Sequence, residues 1–276
     1  MACALKRTRG IKMKGTYFDG SNSVKRVRSL IKSGIPYREE GNIIHFIADE
    51  NDRPEWSKAL ENSLTAGKTD LKMSRRYKNQ RRIMTEDGKR RRFVDFISAA
   101  DGVKVDLASG PSGYFSPMLD TLKETDLFIA TDACPTVLRA HSQACPKDNY
   151  FVFDVDLDRE LPFRDESIAA FSGNLLNNVE HYAALIQEAY RCLEPGGRFA
   201  VIELFFESGC RTFEYLRSSG AVWSSFDTYV SFCESVGFRY MDSAVLQTRT
   251  GKIAEDDLLP LDENDRSEER TVYFQK

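Results

Sequence analysis

A chain of 276 residues with a net charge of −3 and 41% apolar residues has room for one large domain, or for a domain of about 180 residues and a smaller one. No apolar run approaches the ~20 residues that span a bilayer, and residues 1–7 lack the apolar core of a secretory leader, so a cytoplasmic protein without a membrane span is expected. The six cysteines, at 3, 134, 145, 192, 210 and 233, show no C-x-x-C spacing, which points away from zinc or dithiol chemistry and predicts no metal site.

In chain order, residues 1–20 are basic with little periodicity and predict a frayed start. Residues 21–32 predict a short helix with Val24, Val27, Leu30 and Ile31 on one side. Residues 35–48 read as a hairpin turning at Glu40-Gly41-Asn42. From Trp56 the pattern is helical and highly charged, with basic runs at 72–82 and 89–92. Phe93, Phe96 and Ile97 then begin an apolar helical face that Gly102 stops. After that, strands near 103–107, 127–131, 150–154, 168–173 and 198–205 alternate with helices near 113–124, 134–142 and 180–193, the mark of a parallel sheet. A helix over 226–235 ends at Gly237. Two last strands, 238–247 and 270–275, are joined by an acidic linker without a helix and are therefore antiparallel to each other. The fold class is α/β. Two domains are expected: a basic N-terminal α+β extension over 1–92, able to act as a lid, and a main domain over 93–276.

The charge is unevenly divided. Residues 1–92 carry 23 Lys and Arg against 11 Asp and Glu, whereas 93–276 carry 16 against 31. The basic segment either meets an anionic partner such as RNA or lies against the acidic half of its own chain. The mild acidity of the whole favours the second.

The chemistry is concentrated after the first parallel strand. Val103-Lys104-Val105-Asp106-Leu107 ends in the small-residue loop Ala108-Ser109-Gly110-Pro111-Ser112-Gly113. Such a loop lets a ligand approach the backbone closely, and a helix following it would aim its free N–H groups into the same crevice. Asp132 ends the next apolar strand, nineteen residues after Gly113. A carboxylate at this spacing accepts ribose hydroxyls; the alternative is an N-cap for the helix over 134–142. Asp156, beyond Phe151-Val152-Phe153, is placed to accept an adenine amine, with Leu157 supplying an apolar neighbour and Asp154 and Asp158 as competitors for the role.

Asp106-Leu107-Ala108-Ser109-Gly110 resembles the first motif of class I S-adenosylmethionine (SAM)-dependent methyltransferases, with Ala108 in place of the first glycine of the common Gly-x-Gly-x-Gly. Leu161-Pro162-Phe163-Arg164-Asp165-Glu166-Ser167 resembles a further segment of that family, although Ile168 and Ala169 stand where an aromatic residue and an aspartate are usual. Leu176-Asn177-Asn178-Val179, the turn Leu193-Glu194-Pro195-Gly196-Gly197-Arg198 and Val201-Ile202-Glu203 are similar to the ubiquinone/menaquinone-methyltransferase-like (methyltransferase type 11) branch. The resemblance covers about 93–276. It implies a Rossmann-like seven-stranded sheet with the last strand antiparallel, helices on both faces, and SAM over the carboxyl ends of the first strands. Carried over by motif, Asp106 with Ala108, Ser109, Gly110 and Gly113 would hold the methionine portion, Asp132 with Ala133 the ribose, and Asp156 with Leu157 the adenine. Asn174 would line the methyl-transfer cleft.

The expected reaction is transfer of the sulfonium methyl of SAM to a small-molecule acceptor. His181 is the best-placed general base, and an inert histidine at a helix start is its alternative. Phe205, Phe206, Phe213, Tyr215 and Trp223 form either an aromatic lid or core. The rival readings are an RNA methyltransferase using the basic run, a SAM-binding regulatory module without catalysis, and a nicotinamide dehydrogenase, the last disfavoured by the Pro-Gly-Gly-Arg turn and Asp106.

Overall fold

The computed structural model describes residues 22–67, 71–252 and 259–276; the frayed start expected over 1–20 lies outside them. Helix α1 (Asn22–Leu30) buries Val24, Val27 and Leu30, as their spacing requires. The expected hairpin follows as β1 (Arg38–Glu40) and β2 (Ile43–His45), turning through Gly41 at φ +62°. The charged stretch divides into α2 (Glu55–Thr65), α3 (Met73–Glu86) and α4 (Gly88–Ser98). Asp87 starts α4 by accepting the N–H groups of Lys89 and Arg90.

Next come β3 (Val103–Leu107), β4 (Leu127–Asp132), α5 (Pro135–Ala144), β5 (Tyr150–Asp154), β6 (Ile168–Asn174), α6 (Tyr182–Cys192) and β7 (Leu193–Phe206). The chain ends with α7 (Arg211–Ser218), α8 (Phe226–Val236), β8 (Arg239–Thr250) and β9 (Arg266–Gln275). β3, β4 and β5 are buried at every residue, the pattern of parallel strands covered on both faces. α8 stops at Gly237, which adopts the left-handed conformation expected of a terminating glycine. α7 falls among the aromatic residues 205–223, for which the sequence predicts no helix.

Among the described residues the sheet has nine strands, in the order β1-β2-β5-β4-β3-β6-β7-β9-β8, and this corrects the expected seven. β3 to β9 supply those seven, with β9 antiparallel to both β7 and β8. The other two come from the hairpin: β2 lies parallel to β5, with Ile44 opposite Phe153, and covers an edge that would otherwise be bare. One apolar layer joins α1, α6 and α8 to the sheet; the other joins α3, α4 and α5 to its opposite face.

A second correction concerns the loop after β3. The helix expected over 113–124 is only a 3-10 segment, Ser116–Asp120. Phe115, Met118 and Leu119 are all buried there, and α3 lies against the segment: a Cβ at Gly113 would stand 2.6 Å from the Tyr77 ring. No helix dipole therefore follows the loop. What the topology does provide is the point where strand order reverses. From β3 the chain proceeds to β4 and β5 on one side and returns to β6 and β7 on the other, leaving a crevice beyond the carboxyl ends of β3 and β6.

Candidate active site

At this crevice Ala108, Ser109, Gly110, Pro111 and Ser112 form one wall of a cavity of about 240 Å³, completed by Asp132, Asn174, Leu175, Asn178, Val179, Trp56 and Leu60. The loop turns sharply because Ala108 (φ +48°) and Gly110 (φ +56°) are both left-handed. That conformation explains why a glycine is usual where Ala108 stands. Ser109 N–H donates to the Thr131 carbonyl at 2.7 Å, tying the loop to β4. A Cβ at Gly110 would meet only the Ala108 carbonyl oxygen, at 3.7 Å, so this backbone is open to close approach.

Two carboxyl groups support the loop from beneath. Asp106 is buried; its Oδ1 accepts from Ser172 Oγ at 2.6 Å and its Oδ2 from Ser109 Oγ at 2.8 Å. Burial pushes its pKa up to about 7 despite these two hydroxyl donors, and the nearby Asp132 charge adds to the rise. Asp132 accepts the Gly110 N–H at 2.9 Å through Oδ2 and the Cys134 N–H at 2.8 Å through Oδ1. Burial raises it to about 6 against those backbone donors. Its carboxylate thus ties the glycine loop to the start of α5, and each oxygen keeps a lone pair for a ligand hydroxyl.

The expected site residues divide by position. Ala108, Ser109, Gly110, Asp132 and Asn174 meet around the cavity. Asp106 is buried and does not line it. Gly113 faces Tyr77, and the Ala133 carbonyl is taken by Arg53 and Ser57. Leu157 belongs to the apolar core. Asp156 accepts the Asp158 N–H and pairs with Arg159. His181 is exposed beside Asp158, at 3.4 Å, and does not line the cavity. Of the aromatic group, Phe205, Phe206 and Trp223 are buried core residues, whereas Tyr215 is exposed.

Three participants were not visible as such in the sequence. Trp56 and Leu60 reach the cavity from α2. His141 is fully buried behind the loop, with Nε2 2.8 Å from the Gly110 carbonyl and Nδ1 2.7 Å from the Tyr77 hydroxyl. Burial lowers its pKa to about 4, so a neutral ring donates to Gly110 and accepts from Tyr77.

Residues 105–201 match a family model described as a methyltransferase domain. A 45-residue stretch is 47% identical to the ubiquinone/menaquinone biosynthesis C-methyltransferase of Brucella anthropi; it spans 16% of this chain and 17% of that relative's length. The fold is similar to that of a SAM-dependent methyltransferase from Aquifex aeolicus (12% identity, 75% of this chain and 98% of that one, TM-score 0.50). It is similar, too, to the MccD protein (13% identity, 67% and 95% coverage, TM-score 0.50). No helix among the described residues is long and apolar enough to cross a membrane. Residues 105–201 thus match a methyltransferase-domain model, and the chain shares its fold with solved methyltransferase structures.

Proposed function

We propose that this protein is a SAM-dependent methyltransferase acting on a small-molecule acceptor. The observation that carries the reading is the cavity itself: a small-residue loop open to close approach, a carboxylate at the tip of β4, and Asn174 at the tip of β6, all facing one space of about 240 Å³. These residues suit SAM. Asp132 is placed to accept ribose hydroxyls, and the bare backbone of 108–110 can lie against the methionine portion. The Asp132 carboxylate in the cavity wall favours a cation there. When bound, SAM supplies a methyl group on a positively charged sulfur, already activated for transfer. The remaining task of the chain is alignment, which can contribute ~7–11 kcal/mol to lowering the barrier. Asn174, Leu175, Asn178 and Val179 form the wall available to the acceptor.

A small acceptor is favoured over RNA by where the basic residues go. Arg53, Arg81, Arg90 and Arg92 pair with Asp154, Asp120, Glu269 and Asp242 of the acidic remainder, so part of the basic charge is turned onto the chain itself.

Calorimetry with SAM and S-adenosylhomocysteine tests the reading. Saturable binding is expected, and Asp132→Ala should weaken it about 10- to 100-fold, the loss of hydrogen bonds to a charged group worth ~1.5–3 kcal/mol. Absence of binding to the wild-type protein would overturn the proposal. RNA binding that weakens steeply with salt would replace the acceptor class.

A further inference from the structure

Helix α2 is tied down on three sides, and the fourth carries an indole facing the cavity. Arg53, just before the helix, is buried (7% exposed). Its guanidinium forks onto the Asp154 carboxylate at 2.7 and 2.9 Å and also donates to the Ala133 carbonyl at 2.6 Å. Ser57 Oγ donates to the same carbonyl at 2.6 Å. One turn on, Glu61 accepts the Thr136 N–H at 2.8 Å and the Thr136 hydroxyl at 2.6 Å at the start of α5. Leu64 packs with Cys134 and Val137. The helix is thus anchored to the tips of β4 and β5 and to the first turn of α5. Trp56 and Leu60, four residues apart and so on one face, are left half-exposed at the cavity wall.

We propose that Trp56 and Leu60 are donor-binding residues, and that the N-terminal segment thereby completes the SAM pocket by giving the adenosyl sulfonium an apolar, aromatic wall. This rests on the SAM reading above and adds to it a part of the chain outside the matched domain. Position places the wall on the donor side. The anchors of α2 are the Ala133 carbonyl, directly after Asp132, and the Asp154 carboxylate at the neighbouring strand tip, so the helix sits over the end of the cavity where the ribose acid lies. Chemistry fits as well. An indole face attracts a sulfonium cation and stacks on a purine, and burying an indole left half-exposed is favourable in itself.

The chain has two tryptophans, Trp56 and Trp223, so Trp223→Phe leaves Trp56 as the only indole reporter. Titration of that variant with SAM, without an acceptor, should change Trp56 emission saturably, with a midpoint equal to the calorimetric Kd of the same variant. In the otherwise unaltered protein, Trp56→Ala should weaken SAM binding about tenfold, the scale of one lost aromatic contact, without lowering Tm, and Trp56→Phe should recover part of the loss. Calorimetric binding of normal affinity with flat Trp56 emission and an unaffected Trp56→Ala variant would overturn this inference and leave the SAM reading standing. No binding to the wild-type protein would overturn the SAM reading, and the inference with it.

Discussion

Glu203, at the carboxyl end of β7, is fully buried. Its Oε1 accepts the Leu176 N–H at 2.7 Å and the Tyr182 hydroxyl at 2.9 Å, while Oε2 has no hydrogen-bond partner among the described residues. Burial raises its pKa to about 8 despite those donors, so the folded chain holds a neutral carboxyl at pH 7, whereas the unfolded chain titrates near 4.5. The fold therefore binds the extra proton across that interval. The stabilisation is full below pH 4.5 and is lost as pH rises toward 8, at ~1.4 kcal/mol per unit. Glu203→Gln keeps the acceptor and the volume but cannot ionise. Its stability relative to wild type should be constant below pH 4.5 and should increase steadily up to pH 8; urea midpoints at pH 4, 6 and 8 read this, and a pH-independent difference would contradict it. At this scale Asn174 came through the motif resemblance, whereas the sequence located the strand ends at Asp106 and Asp132, because an apolar run locates its own tip. It was silent where partners come from distant segments. Nothing near His141 announces Tyr77 or Gly110, and Glu203 shows no sign in the sequence that one of its oxygens will lack a partner.

Among the elements, the continuous apolar runs that became β3 to β7 were legible because a doubly covered parallel strand needs no alternation to be recognised. The segment after the loop was misread because Phe115, Met118 and Leu119 suit either a helix or a 3-10 turn, and the choice was made by α3, which lies against Gly113. α2 shows the same dependence on distant groups: its position is set by Arg53, whose charge in the sequence gave no hint of burial. Asp154 is completely buried and faces Arg53 and, at 2.8 Å, His45 Nδ1. Removing the guanidinium leaves that carboxylate with the imidazole alone, and breaking a buried pair from one side destabilises by ~3–5 kcal/mol. Arg53→Ala should lower the urea midpoint accordingly. Arg53→Lys, which restores charge without the two-pronged geometry, should fall between. Combining Arg53→Met with Asp154→Asn should recover much of the loss, because no charge is then stranded. If Arg53→Ala unfolds at the wild-type midpoint, the clamp has no part in stability.

For the molecule as a whole, part of the charge of the basic first third meets the acidic remainder. Exposed pairs such as Arg81–Asp120 and Arg92–Asp242 contribute little each, ~0–1 kcal/mol. The stronger attachment is apolar. Met73, Tyr77 and Met84 share one core with Phe93, Ile97, Phe115, Met118, Phe128 and Tyr150, and the rings of Tyr77 and Phe115 meet edge to face at 5.7 Å. The change in charge after residue 92 also falls inside α4, which runs from Gly88 to Ser98. A chain cut to 93–276 would therefore begin in mid-helix, uncover the sheet face now beneath α3, and expose the β5 edge that β2 pairs with. An uncovered apolar layer beside a bare strand edge is a template for association. The truncated chain should elute as aggregates in gel filtration and bind a hydrophobic dye, and adding salt should not rescue it, because screening weakens only the ionic part of what was lost. The intact chain at 1 M salt should keep nearly its full urea midpoint for the same reason. A monomeric, cooperatively unfolding 93–276 fragment would show instead that the first third is an attachment to a domain able to stand alone.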